Sequence, residues 1–99
     1  MIIPKEIKVG KTKYTIEWFE SICKGRLICR GFVSYITKVI GLSRGYSKRR
    51  YSSKQISETF WHEVTHAILY DMKNDLYKDE KFVTEFSKSL NNAILSAKL

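Results

Sequence analysis

His62, Glu63, Val64, Thr65 and His66 form an HExxH sequence, and it takes up both histidines of the chain. On an α-helix, residues i and i+4 stand one above the other, so two imidazoles at that spacing reach one metal ion from a single face. The glutamate between them then stands beside the open coordination position. There it takes the proton of a water whose pKa the metal has lowered to roughly 7. The chemistry predicted is zinc-dependent hydrolysis of a peptide bond, with His62 and His66 as ligands of Zn2+ and Glu63 as the base. By composition alone such a pattern arises on the order of a few times per thousand chains of this kind, so its setting has to support it.

That setting is a helix. Ser52-Ser53-Lys54-Gln55 has the form of a capping box, and the chain then runs without Gly or Pro through Met72. Ile56, Phe60, Val64, Ala67 and Ile68 recur at three- and four-residue spacing as one apolar stripe. His62 and His66 fall on the flank of that stripe, where ligands belong.

A catalytic zinc takes three protein ligands and keeps one position open. With no third histidine, the downstream carboxylates are Asp71, Asp75, Asp79, Glu80 and Glu85. Asp71 turns toward the apolar stripe, Asn74-Asp75 reads as a turn or cap, and Asp79 suits an N-cap. Glu80 is the predicted ligand. It opens a second amphipathic pattern in which Val83, Phe86, Leu90, Ala93 or Ile94, and Ala97 share a face.

In these two blocks the chain resembles the minimal gluzincins, the HExxH zinc metallopeptidases of ImmA/IrrE type and their small phage-borne counterparts. His62 to Leu69 looks like the metal helix. Glu80-Lys81-Phe82-Val83-Thr84-Glu85-Phe86-Ser87 resembles a following helix of the form E-x-x-A-N-x-F-A, and the likeness covers positions 52 to 99. It implies Glu80 as third ligand. It also places Thr84 where an Asn or Asp usually holds a ligand histidine in its metal-binding tautomer, so Thr84 is expected to accept from an imidazole N–H. Larger gluzincins use a His or Tyr to stabilise the oxyanion, and Tyr70, one turn beyond His66, is the first candidate, with Tyr77 next.

The first half reads as strands. Glu6 to Val9 and Lys13 to Trp18 flank Gly10-Lys11 as a hairpin, with Ile7 and Val9 sharing a face with Tyr14, Ile16 and Trp18. Phe32 to Ile36 is a further strand, which Lys38 to Leu42 continues after a bend. Ser43 to Ser47 is a turn, and Lys48 to Tyr51 is expected as an edge strand leading into the metal helix, where an extended substrate would lie. The predicted fold is α+β: a minimal zincin-like domain over 1–99, with a small twisted β-sheet of three or four strands packed against the HExxH helix and a C-terminal helix. Trp18, Phe60, Phe82 and Phe86 are expected in the core.

Ninety-nine residues support one core and no separate recognition module. No apolar stretch is long enough to span a bilayer, and the N-terminus lacks a signal-peptide layout, so a cytoplasmic setting in a bacterium or phage-infected cell is expected. Reduced thiols at Cys23 and Cys29 follow from that setting. The formal charge of +8 concentrates at Arg44, Lys48, Arg49, Arg50 and Lys54, beside Tyr46 and Tyr51. It suits a protein or peptide substrate that is acidic or DNA-associated, as in SprT-like enzymes, whereas direct nucleic-acid binding is the less favoured reading. The alternative function is a catalytically weak or inactive zincin-fold basic interaction protein, a phage-type effector or nucleic-acid-associated binder, that acts by occupancy.

Overall fold

A computed structural model describes residues 1–97 and shows a mixed α+β fold in which a small sheet packs against two helices. Strands β1 (Glu6–Val9) and β2 (Thr12–Phe19) form the expected antiparallel hairpin, with Ile7 opposite Tyr14 and Val9 opposite Thr12. Gly10 in its turn has φ +59°, and a Cβ there would collide with the carboxylate of Asp71. The positive φ is what calls for glycine there, since the exposed Asp71 carboxylate could swing aside.

Next comes a ribbon absent from the sequence reading, β3 (Ile22–Lys24) paired with β4 (Leu27–Cys29). Its three-residue strands carry little period-2 signal. Ile22 lies opposite Cys29 and Cys23 opposite Ile28, so the two cysteines point to opposite faces of the ribbon, and both are free thiols.

Strand β5 (Gly31–Ser34) is followed by β6 (Val39–Ser43), which does not continue it. The chain reverses through a tight turn with Lys38 at φ 60°, and β6 returns antiparallel to β5. It also lies parallel to β2, giving the order β1-β2-β6-β5. Apolar Val39, Ile40 and Leu42 are buried best in the centre of the sheet, which explains the reversal. The expected edge strand at 48–51 is also corrected. Arg49–Arg50 (β8) pairs only with Gly45–Tyr46 (β7), in a separate ribbon, and the sheet edge beside the metal helix is β5.

Helix α1 (Ser53–Asp71) begins at the predicted capping box, with Ser52 accepting from the Gln55 amide and the Gln55 side chain accepting from the Ser52 amide. Phe60, Val64 and Ala67 drive one face into Val9, Tyr14, Ile16, Ile40 and Leu42 of the sheet. Each large apolar side chain buried there contributes about 1.5–3 kcal/mol. A single 3-10 turn, Asp75–Lys78, is capped by Asn74, and helix α2 (Glu80–Ser96) is capped by Asp79, which accepts from the Phe82 amide. Among the described residues no helix is long and apolar enough to cross a membrane.

The buried face of α2 differs from the expected one. Val83, Ser87 and Asn91 are buried, while Phe86 is 48% exposed and stacks on half-buried Phe82 outside the core. Phe60 and, at the margin, Trp18 meet the expectation for the core. Residues 80, 83, 84, 87 and 91 share one helical stripe, so turning Glu80 toward α1 also turns Ser87 and Asn91 inward. Asn91 is fully buried, and neither atom of its amide has a hydrogen-bond partner. Such a group costs about 1–3 kcal/mol. Asn91→Leu is therefore expected to raise unfolding stability by about that much, read as a higher urea midpoint at unchanged slope. An unchanged midpoint would mean that the amide is satisfied.

Candidate metal centre

His62 is half-buried and His66 buried, on a flank of α1 beside the apolar stripe, as the spacing predicts. The short connection through the 3-10 turn brings α2 back along α1 and sets Glu80 opposite both rings. The Nε2 atoms of His62 and His66 are 3.2 Å apart. Glu80 Oε1 is 2.8 Å from Nε2 of His66, and Oε2 is 3.1 Å from Nε2 of His62. In a tetrahedral site with bonds of about 2.0–2.1 Å, the edges between ligand atoms are about 3.3 Å. The two ring nitrogens and the Glu80 carboxylate, which offers one oxygen to each ring, therefore lie close to the spacing that ligands of one ion require.

The tautomer fits as well. Nδ1 of His66 lies 2.7 Å from the Tyr77 carbonyl oxygen. A carbonyl only accepts, so Nδ1–H donates, and the neutral ring presents its lone pair at Nε2 toward Glu80 and His62. The group expected to hold the tautomer was Thr84; the backbone of the 3-10 turn does it instead. Thr84 lines the cavity, and its carbonyl accepts from the Ser87 hydroxyl.

Glu63 belongs to the same cluster. Ligand atoms of His62, Glu63 and His66 all lie within 4.8 Å of one another, close enough to hold a metal ion. Glu63 is 7% exposed. Burial first, and the Glu80 carboxylate second, push its pKa up to about 8. Burial first, and His66 second, hold His62 below its usual range, although Glu80 pulls the other way. The cluster thus carries more lone pairs than it can share among its own protons. A dication supplies the missing positive charge and favours the ionised carboxylate. The Glu80 side chain is 70% exposed, so the centre opens to solvent on that side.

The cavity over these residues measures about 580 Å³. Its floor on the sheet side is β5. The Ser43 amide donates to the Arg30 carbonyl, so by antiparallel alternation Phe32 bonds toward Gly41 while the N–H and C=O of Gly31 and Val33 point away from β6, at the free edge. A Cβ on Gly31 would lie 2.6 Å from Thr59 Cγ2 and 3.6 Å from Glu63 Cγ. Glycine is what lets the edge come up against the helix at Thr59, one turn before Glu63.

Tyr70 is not brought to this cavity. It lines a neighbouring one of about 420 Å³, because the turn after β5 lays Tyr35 flat over its ring, 3.9 Å between centroids and 5° between planes. Tyr35 faces the metal cluster in its place, with Tyr77 edge-on to both rings. Burial, then Glu63, then the remaining neighbours push the Tyr35 phenol up to about 12, so it keeps its proton. Sequence reading missed Tyr35 because only the packing of β5 on α1 connects it to the histidines. In the basic cluster, Arg44 and Arg50 both pair with Glu20, and Arg44 also lies over Trp18, which leaves less free charge there than the composition suggests. No family model, curated protein or solved structure matches the chain.

The raised pKa of Glu63 has a consequence for the metal-free fold. Between about pH 4.5 and pH 8 the folded state holds a proton that the unfolded state has lost, so stability falls as pH rises through that window. Below it both states are protonated and nothing is lost. Glu63→Gln removes the effect. In chelator, the variant is expected to match the parent near pH 4.5 and to exceed it by on the order of a few kcal/mol at pH 8, read from paired urea titrations. A gap independent of pH would contradict the assignment.

Proposed function

We propose that the protein is a zinc-dependent metallopeptidase of the minimal gluzincin kind, acting on a protein or peptide substrate. The observation that carries this reading is the convergence of His62 Nε2, His66 Nε2 and the Glu80 carboxylate to within 3.2 Å of one another. Two imidazoles and one carboxylate are the donor set of a catalytic zinc with one position open, rather than of a closed structural site. When bound, zinc supplies Lewis acidity and lowers the pKa of water to roughly 7.

The chain's own residues do the rest. Glu63 sits in the same cluster without being needed as a ligand, and its buried carboxylate is poised to accept a proton from water and pass it to the leaving amine. Its raised pKa favours the second half of that transfer. The Tyr77 carbonyl holds His66 in the binding tautomer. Tyr35 keeps its phenolic proton and donates a hydrogen bond to the oxygen on which negative charge develops, the role first assigned to Tyr70. Tyr70 becomes the ring that fixes the Tyr35 orientation. Outward N–H and C=O groups of Gly31 and Val33 offer an extended peptide a strand to pair with. The alternative, an interaction protein acting through its basic ribbon, is less well supported, because Glu20 already engages two of the arginines there.

Cleavage of a denatured protein such as casein is expected to stop in chelator and to return with zinc. Glu63→Gln should abolish cleavage while leaving zinc content intact. Tyr35→Phe should lower kcat by about 10²-fold with little change in KM. Full activity in Glu63→Gln would exclude Glu63 as the base, and full activity in Tyr35→Phe would exclude the phenol.

A further inference from the structure

The cavity has two unlike ends. On α1 its lining runs from Glu58 and Thr59 through His62 and Glu63 to His66, two turns of helix and therefore about 12 Å. At the His66 end the walls are Tyr35 and Tyr77. The lining also takes in Lys24 of β3, Lys88 of α2, and Arg30, which precedes Gly31 and so adjoins Thr59 at the Glu58 end. Lys88 lies two turns beyond Glu80 on a helix that runs back along α1, which puts it at the same end. All three cations are exposed, and among the described residues none of them is in an ion pair.

Charge therefore varies along the cleft. Glu63 and Glu80 stand in the middle, where a dication would balance them. Beyond them, three cations from three separate elements face a single carboxylate, Glu58. A cleft edged with one sign of charge over low-dielectric walls selects the opposite sign in its ligand and speeds its arrival.

We propose that the substrate presents a carboxylate to Lys24, Arg30 and Lys88, so that the enzyme selects peptides with an acidic group on one side of the cleaved bond. The cationic end lies about one to two helical turns from the metal ligands, or about 6–12 Å. At about 3.3 Å per residue of extended chain, the acidic group sits about two to four residues from that bond. Either an Asp or Glu side chain or the free C-terminus of the substrate supplies this chemistry. The inference rests on the peptidase reading for what is cut, but not for what is bound.

The test uses N-acetylated alanine-based octapeptides in which a single Glu, or Gln as its neutral match, is moved through the chain, each made as free acid and as C-terminal amide. Binding is measured by fluorescence anisotropy to the zinc-loaded Glu63→Gln protein, and cleavage with the unmodified protein. At low salt, Glu peptides are expected to bind roughly tenfold more tightly than Gln peptides, with the gap narrowing as salt rises. In the Lys24→Gln, Arg30→Gln, Lys88→Gln triple variant the gap should close, while zinc content and Tm stay as they were. A gap that persists in the C-terminal amides assigns the site to an acidic side chain, and a preference confined to the free acids assigns it to the substrate's terminus. Equal binding of Glu and Gln peptides in both series, or an undiminished gap in the triple variant, would overturn the proposal even if cleavage occurs. Selective binding without any cleavage would uphold it and remove the peptidase reading instead.

Discussion

The reach of Glu80 across the α1–α2 interface to two histidines one turn apart is the constraint on which the rest of the molecule depends. It fixes the rotation of α2, because Val83, Ser87 and Asn91 follow Glu80 along one stripe and are turned into the interface when Glu80 faces α1. Phe82 and Phe86 are left to stack on each other at the flank. A helix placed by its apolar moment alone would bury the phenylalanines. This one buries a serine and an unpartnered asparagine amide, a sacrifice of stability of the sort that functional sites commonly impose.

Three further features lock the centre from different directions. The Tyr77 carbonyl fixes the His66 ring through the 3-10 turn, Tyr35 and Tyr77, with Tyr70 stacked behind Tyr35, wall one end of the cleft, and glycine at position 31 lets the sheet edge touch α1 at Thr59. None is a ligand, yet each restricts where a ligand or base can point. The electrostatics agree with the geometry. Burial favours the neutral forms of the Glu63 carboxyl and the His62 ring, and a cation bound among them would favour the ionised carboxylate.

Much of this was legible in the sequence, and what was not has identifiable causes. Local signals survived intact: the Ser52–Gln55 capping box, the Asp79 cap, the turn at Gly10-Lys11 and the flank position of the histidines all depend on residues within a few positions of one another. Glu80 was reachable because few carboxylates remained after the other roles were assigned. The losses were non-local. Nothing within residues 39–43 says that the strand reverses and inserts parallel to β2, and nothing around Tyr35 says that it faces the histidines. The ribbon at 22–29 is too short to carry a period. For α2 the apolar pattern gave a face that is met at Val83, Leu90 and Ile94 but rotated away from Phe86 toward Ser87 and Asn91, because the requirement to place one carboxylate outweighed it.

The central claim is that His62, His66 and Glu80 jointly hold one metal ion. It is tested most directly by native mass spectrometry of protein purified without chelator, alongside equilibrium zinc titration of the parent and Glu80→Ala. One zinc per chain in the parent, bound at least tenfold more weakly in the variant, is the predicted result. Absence of zinc from the parent, or equal affinity in the variant, would contradict it.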